Sequence, residues 1–292
     1  MAIFKGVGVA IITPHKNGKV DYDALRALVE WHVSEGTDSI VVCGTTGEAA
    51  TLSVEEHLDV IRFVADTVGG RIPVIAGTGS NETKVAIELA VEAEKAGVNG
   101  VLSVTPYYNK ATKKGLVRHY NAIADAINIP MILYSVQSRT GVNITPDVAK
   151  ELKKHKNIQG IKEASGNISQ IVEMARLIDD DFDIYSGNDD QVVPIMALGG
   201  LGVISTVANI APKQTHEMTA KFFAGDIKGA REIQLAQKPL IDALFSEVNP
   251  VPVKAALHLM GKCELEYRLP MCEPEDSTME RLRREMTAYG IL

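Results

Sequence analysis

Lys162 closes a short apolar run, Ile158-Gln-Gly-Ile-Lys-Glu-Ala-Ser165, that reads as a buried strand with a cation at its C-terminal end. Burying an ammonium is costly. Burial or a nearby cation lowers a lysine pKa from about 10.4, by up to roughly 3–5 units. The neutral amine is then a nucleophile that can form a Schiff base with a ketone. The competing reading is a strand-end lysine whose head snorkels into solvent. What separates the two is the chemistry carried by the other strand ends.

Those ends are Gly44-Thr-Thr-Gly-Glu48, Thr105-Pro-Tyr-Tyr-Asn109, Tyr134 followed by Arg139-Thr-Gly141, Ser186-Gly187-Asn188, and Ile204-Ser205. In Gly44-Thr45-Thr46-Gly47, backbone N–H groups and two hydroxyls could hold a carboxylate. A tight turn that needs glycine for its backbone angles is the alternative. Tyr134 could be an acid–base group beside the lysine, passing protons through Thr45 and a second tyrosine. Its alternative is a barrel-filling aromatic. Arg139 could clamp a second carboxylate through both guanidinium nitrogens, or be a solvated loop charge. Each signal is weak alone; their weight is that all fall at the same end of one sheet. The seven histidines are scattered and none pairs at metal-ligand spacing, so no metal is expected. Tyr107 and Tyr108 could stack at a subunit contact or pack locally.

Short apolar segments alternate with helix-period segments through most of the chain. The strand candidates are Val7–Thr13, Ser39–Cys43, Ile72–Gly77, Gly100–Val104, Pro130–Tyr134, Ile158–Lys162, Phe182–Ser186 and Gly202–Thr206. They are near-continuous apolar runs, as in a parallel sheet covered on both faces. Between them, Asp21 caps a helix with Leu25, Leu28, Val29 and Val33 on one face, and Gly36 stops it. Ser53 and Glu56 form a capping box. Asn81 starts the next helix and Gly97 ends it, and Thr145-Pro146 is a cap followed by proline at the first helical position. Eight such units predict an α/β fold, a (β/α)8 barrel, with a doubly wound sheet as the alternative. After about residue 225 helical segments follow one another, Ile227–Ser246, Pro252–Met260 and Thr278–Tyr289. The expected division is a barrel over 1–225 and a C-terminal helical appendage over 226–292.

The composition bounds the function. Of 292 residues, 46% are hydrophobic, enough for a sizeable core. A net charge of −7 argues against nucleic-acid binding. Cys43, Cys263 and Cys272 form no CxxC and no disulfide framework. Zinc, P-loop and dinucleotide signatures are absent, so no cofactor is expected. Val7–Ile12 is the one apolar run near the N-terminus and lacks a cleavage-site pattern and membrane-spanning length, so a cytoplasmic protein with no membrane partner is expected. The sequons at Asn81, Asn143 and Asn167 then carry no meaning.

Six stretches resemble the dihydrodipicolinate synthase family, one of the pyruvate-dependent class I aldolases that include N-acetylneuraminate lyase. They are Gly44-Thr-Thr-Gly-Glu48, Val74-Ile-Ala-Gly-Thr-Gly79, Thr105-Pro-Tyr-Tyr-Asn109, Ser138-Arg-Thr-Gly141, Gly160-Ile-Lys-Glu-Ala164 and Asn249-Pro-Val-Pro-Val-Lys254. The resemblance implies that Lys162 forms a Schiff base with pyruvate. It implies a proton relay of Thr45, Tyr134 and Tyr108, with Tyr108 supplied by a neighbouring subunit. Thr46 and its backbone would hold the pyruvate carboxylate, Arg139 the carboxylate of L-aspartate 4-semialdehyde, and Gly187 and Ile204 would line the pocket. The implied product is 4-hydroxy-tetrahydrodipicolinate, on the route to lysine and diaminopimelate, and the implied assembly is a homotetramer of two tight dimers.

Two departures carry expectations. The family reads Tyr-Asn-Val-Pro where this chain has Tyr134-Ser135-Val136-Gln137. A freed backbone angle and a lost amide imply a less rigid loop around Arg139. Lysine-inhibited members carry a serine, a histidine and a glutamate where this chain has Ala49, Val54 and Val85, while His57, Asn81 and Tyr107 are kept. Insensitivity to lysine is the expectation. Two other readings remain: a sugar-acid lyase using the same Schiff base, which Arg139 argues against, and an idle binding barrel, which the intact lysine, threonine and tyrosines argue against.

Overall fold

The computed structural model describes residues 2–292. In chain order its strands are β1 (Gly6–Ala10), β2 (His15–Lys16), β3 (Lys19–Val20), β4 (Ser39–Val42), β5 (Val74–Gly77), β6 (Gly100–Val104), β7 (Met131–Ser135), β8 (Ile158–Glu163), β9 (Asp183–Ser186) and β10 (Gly202–Ser205). Eight of them close a parallel barrel in the order β1-β10-β9-β8-β7-β6-β5-β4. β1 pairs with both β4 and β10, which excludes the open doubly wound sheet.

The elements match the sequence expectation with three local differences. The first strand ends at Ala10, because the chain turns away to make a small antiparallel hairpin of β2 and β3. Its turn, Asn17-Gly18, has positive φ at both residues, the geometry of a two-residue hairpin loop. Asn81 does not cap the following helix, which runs Thr83–Lys95 after Glu82. Its carbonyl instead accepts from Asn109 Nδ2 (2.9 Å). Thr145 precedes Pro146 at the start of helix Pro146–Leu152, but its hydroxyl turns to Asp147 and not to the backbone. The other helix ends follow the sequence. Asp21 accepts from Ala24 N, and Ser53 and Glu56 form a reciprocal capping box.

Two apolar layers result. The outer one lies between the strands and the surrounding helices and includes Val7, Val9, Ile40, Ile158 and Ile161. Residues of the C-terminal helices, among them Leu240, Val253, Leu257 and Leu282, belong to the same cluster. The inner one fills the barrel with Ala10, Val41, Ile75, Leu102, Ile132, Tyr134, Tyr185 and Ile204. Phe4 stacks on Tyr185 at 4.4 Å, and Tyr185 Oη donates to the Phe4 carbonyl (2.7 Å), so the N-terminal segment plugs the base. With the base filled, space is left only at the C-terminal ends of the strands, where barrels of this kind place their sites.

The chain after the helix Val251–Leu259 returns to that end. Arg268 grips Glu56 with both terminal guanidinium nitrogens, Nη1 and Nη2 (2.8 and 2.6 Å), and donates to the carbonyls of Thr51 and Gly18. The bond from Arg268 holds the Glu56 carboxyl down at about 2, against an ordinary 4.5. A depressed carboxyl contributes stability above its unfolded pKa and loses it as pH falls toward the folded one. Glu56 is 35% exposed, so screening limits the size. Arg268→Met is expected to lower the thermal midpoint by about 2–4 °C at neutral pH. The gap between variant and parent should shrink as pH drops from about 4.5 towards 2, read by circular dichroism melts.

Candidate active site

Lys162 points into the barrel because of an irregularity in its strand. Ile158 and Ile161 both face the outer layer, although strict alternation would put residues three apart on opposite faces. β8 solves this with a register shift against β7. Met131 pairs with Ile158 but Ile132 with Gly160, so Gln159 is the extra residue of a bulge. After the bulge the phase is reset: Ile161 faces out beside Leu133, Lys162 faces in beside Tyr134, and Glu163 faces out beside Ser135. Without the extra residue, Lys162 would project among the helices. It is 6% exposed, and its Nζ lies 4.3 Å from the centroid of the Tyr134 ring.

Above it is a cavity of about 170 Å³ lined by Thr45, Thr46, Tyr134, Arg139, Lys162 and Gly187, with Asn188, Thr206, Ser138 and Asn249 completing its polar wall. Ile204 sits below, in the inner apolar layer. Tyr108 is 91% exposed, with φ of 71°, and is absent from the walls of its own chain's cavity. A second cavity, of about 540 Å³, shares Thr45, Tyr134, Arg139 and Asn249 and runs outward past Ala49, Val54, His57, Val85 and Tyr107.

The Gly44–Gly47 turn is built to present donors. Cys43 and Glu48, on either side, both take left-handed φ of 53°. Gly47 N and Glu48 N are spent on Gly44 O and Thr45 O. Among the described residues the N–H groups of Thr45 and Thr46 have no protein acceptor, which leaves two adjacent donors for an anion. Asn249 Nδ2 donates to Thr46 Oγ1 (3.0 Å). Thr46 thus spends an acceptor site on Asn249, and its single hydroxyl proton remains for a ligand. The turn fits because Gly77 lacks a side chain: a Cβ there would lie 2.2 Å from the Cys43 carbonyl oxygen.

Arg139 lies in a one-turn helix, Gln137–Thr140. No proline starts it, yet it is tied at both ends. Thr140 Oγ1 accepts from Thr105 Oγ1 (2.8 Å) and from Val142 N. Ser135 is wholly buried, bonds Asn143 Oδ1 and accepts from Ile144 N. Against the expected loosening, Ser135 and Thr140 within the segment are bonded to Thr105, Asn143 and the backbone of Val142 and Ile144 around it. Asn143 and Gln170 continue that network to Glu163, whose carboxyl is raised by burial and accepts from Ser165 N.

Just past the end of β9, the strand next to β8, the buried Asp189 accepts from Ser205 Oγ (2.6 Å), Thr206 N and Val207 N. Burial pushes its carboxyl up, opposed by these bonds and by the Lys162 charge. It shapes the β10 end that carries Thr206. Sequence reasoning assigned no role to Asp189, Thr206 or Asn249. Asn249 lies in the appendage, far along the chain from the strand ends, and its only sign in the sequence is the Asn249-Pro-Val-Pro-Val-Lys254 stretch. Among the described residues no cluster of three or more His, Cys, Asp or Glu side chains could hold a metal, and no helix is long and apolar enough to cross a membrane.

This arrangement offers an inward amine, an anion-binding turn, a phenol beside the amine and a second cation at the rim. Comparison with known proteins finds relatives in both sequence and fold. The family model "Dihydrodipicolinate synthetase family" matches residues 3–289. A 4-hydroxy-tetrahydrodipicolinate synthase of Thermoanaerobacter sp. (strain X514) is 53% identical over 293 residues, covering 100% of this chain and 99% of that one. The crystal structure of dihydrodipicolinate synthase from Thermotoga maritima superposes with a TM-score of 0.98 at 43% identity, over 100% of both chains. That of the chloride-inhibited enzyme from Acinetobacter baumannii, complexed with pyruvate, gives 0.96 at 45% identity over 99% of both.

Proposed function

The chain belongs to the dihydrodipicolinate synthetase family, and from that premise we propose that it condenses pyruvate with L-aspartate 4-semialdehyde to give 4-hydroxy-tetrahydrodipicolinate. The observation that carries the reading is one cavity holding Lys162, the donors of Thr45 and Thr46, and Arg139. It is a Schiff-base lyase of the class I aldolase type, serving lysine and diaminopimelate synthesis, and we read it as cytoplasmic.

In this reading the neutral Lys162 amine adds to the ketone carbon of pyruvate, and loss of water gives the imine. Thr46 and the two free N–H groups hold the carboxylate, fixing which face of the ketone the amine meets. The protonated imine then withdraws electrons from the methyl group. Losing a methyl proton gives an enamine, and that carbon attacks the aldehyde of the second substrate. Tyr134, beside the amine, exchanges these protons through Thr45 with Tyr108 of a second copy. Arg139 receives the second substrate's carboxylate in bidentate fashion. The amino group of that second substrate finally attacks the imine carbon and expels the Lys162 amine, closing the ring and freeing the enzyme. The exposed Tyr108 has no partner in its own chain's cavity, which supports its being lent across a contact in a homotetramer built as a dimer of dimers.

Borohydride reduction in the presence of pyruvate is expected to label the peptide containing Lys162, and Lys162→Arg to abolish the label, because arginine stays protonated. Label on another lysine, or none, would sink the assignment. Tyr108→Phe should cut turnover by about 10²–10⁴-fold, the usual cost of a lost proton-transfer group, while the pyruvate adduct still forms. A stable monomer with full activity would contradict the lent tyrosine. The outer cavity yields a third expectation. Its wall carries Val54, Val85 and Ala49, and His57 is already committed through Nε2 to the Gly77 carbonyl at 2.7 Å. A bound lysine ammonium left there without a carboxylate partner would cost about 2–5 kcal/mol. Initial rates should therefore be unchanged by submillimolar L-lysine; half-inhibition below a millimolar would refute this.

A further inference from the structure

The C-terminal appendage reaches the turn that binds the anion at two points of a single segment, Asn249–Lys254. Asn249 is one, through Thr46. The other is Lys254, whose side chain is wholly buried and meets the buried carboxylate of Glu48. The accounting around Lys254 is complete for a charged amine. Its three N–H bonds face Glu48, His15 Nδ1 (3.1 Å) and the Glu266 carbonyl (3.1 Å). His15 must then accept at Nδ1 and is neutral; burial first, and the Lys254 charge second, hold its pKa at about 3.

Glu48 has little else. Among the described residues its Oε2 has no hydrogen-bond partner, and the neutral His15 ring, with Nδ1 3.9 Å from Oε1, supplies no counter-charge. Its backbone sits at φ 53°, a conformation that a non-glycine residue holds only when its surroundings impose it. The same backbone closes the turn, because Glu48 N donates to Thr45 O. An interaction that fixes Glu48 therefore fixes where the Thr45 and Thr46 donors point.

We propose that the Glu48–Lys254 ion pair is a positioning device for the reaction: the appendage uses it to hold the Gly44–Gly47 turn in register with the substrate carboxylate. Neither residue touches the reacting atoms. The proposal rests on the reading that Lys162 takes a keto acid whose carboxylate lies on this turn. It separates two halves of the cavity, because Arg139 is held through Thr140 and Ser135 on the other side and owes nothing to Lys254.

The test compares Lys254→Met, Glu48→Gln and the double variant Glu48→Gln/Lys254→Met with the parent enzyme, each as the full chain. Steady-state rates give KM for pyruvate and for aspartate semialdehyde separately. Single-turnover borohydride trapping gives the rate of adduct formation on Lys162. The expectation for Lys254→Met is a pyruvate KM raised and an adduct rate lowered by about tenfold or more, with the semialdehyde KM within about twofold. The double variant should recover thermal stability, since it leaves no buried unpaired charge, yet keep the defect towards pyruvate. If Lys254→Met does not fold, the double variant carries the test, and Glu48→Asp, which draws the charge back by one methylene, gives a graded third reading. Folded variants with parental pyruvate KM and adduct rate overturn the proposal. So does an equal rise in both KM values, which would mean general loosening. Absence of an adduct on the parent enzyme would instead overturn the Lys162 reading.

Discussion

An amine turned into an apolar barrel is the constraint on which the rest of this molecule depends. The interior around Lys162 is Tyr134, Ile132, Tyr185 and Ile204, with Phe4 closing the base. That lining holds no carboxylate to pair with an ammonium, only the face of the Tyr134 ring 4.3 Å from Nζ, so the lysine sits at the open end of the strand, beneath a cavity. A single inserted residue achieves this. The bulge at Gln159 lets Ile158 and Ile161 both serve the outer layer while Lys162 turns inward. Packing and chemistry make opposite demands on a strand of period two, and the bulge satisfies both.

The second requirement is a fixed anion site within reach of that amine. Its donors come from a turn with left-handed residues at both flanks, Cys43 and Glu48, and such backbone persists only when several contacts over-determine it. Here they come from far along the chain. Gly77 makes room beneath, Thr13 donates to the Gly47 carbonyl (2.7 Å), and Asn249 and Lys254 reach in from the C-terminal segment. The barrel supplies the strand ends, and the helices after residue 226 supply part of what makes one of those ends rigid. That segment is better described as a support of the site than as a cover on the barrel.

Local physics was legible in the sequence, and long-range polar pairing was not. Continuous apolar runs gave the eight barrel strands to within a few residues, because parallel strands are buried on both faces. The Ser53–Glu56 box and the Asp21 cap were readable because both partners lie within one turn. The hairpin was missed although Asn17-Gly18 is a turn signal, since Lys16 and Lys19 break the apolar flanks usually sought beside it. The bulge was missed because an apolar run shows no phase. Strand ends and resemblance name eight site residues, and the fold brings six of them, Lys162, Thr45, Thr46, Tyr134, Arg139 and Gly187, to one cavity. Tyr108 and Ile204 do not line it in this chain. The pairing of Glu48 with Lys254 had one usable sign. Lys254 is a lone charge in Val251-Pro-Val-Lys-Ala-Ala-Leu257, a helix buried on every side, where an ammonium must have a partner.

A crystal structure grown with pyruvate would test the central claim most directly. The account predicts continuous density from Lys162 Nζ to the ketone carbon, with the carboxylate at about 2.7–3.2 Å from the N–H groups of Thr45 and Thr46. A pyruvate joined to another lysine, or one whose carboxylate rests on Arg139 while the turn stays empty, would contradict it.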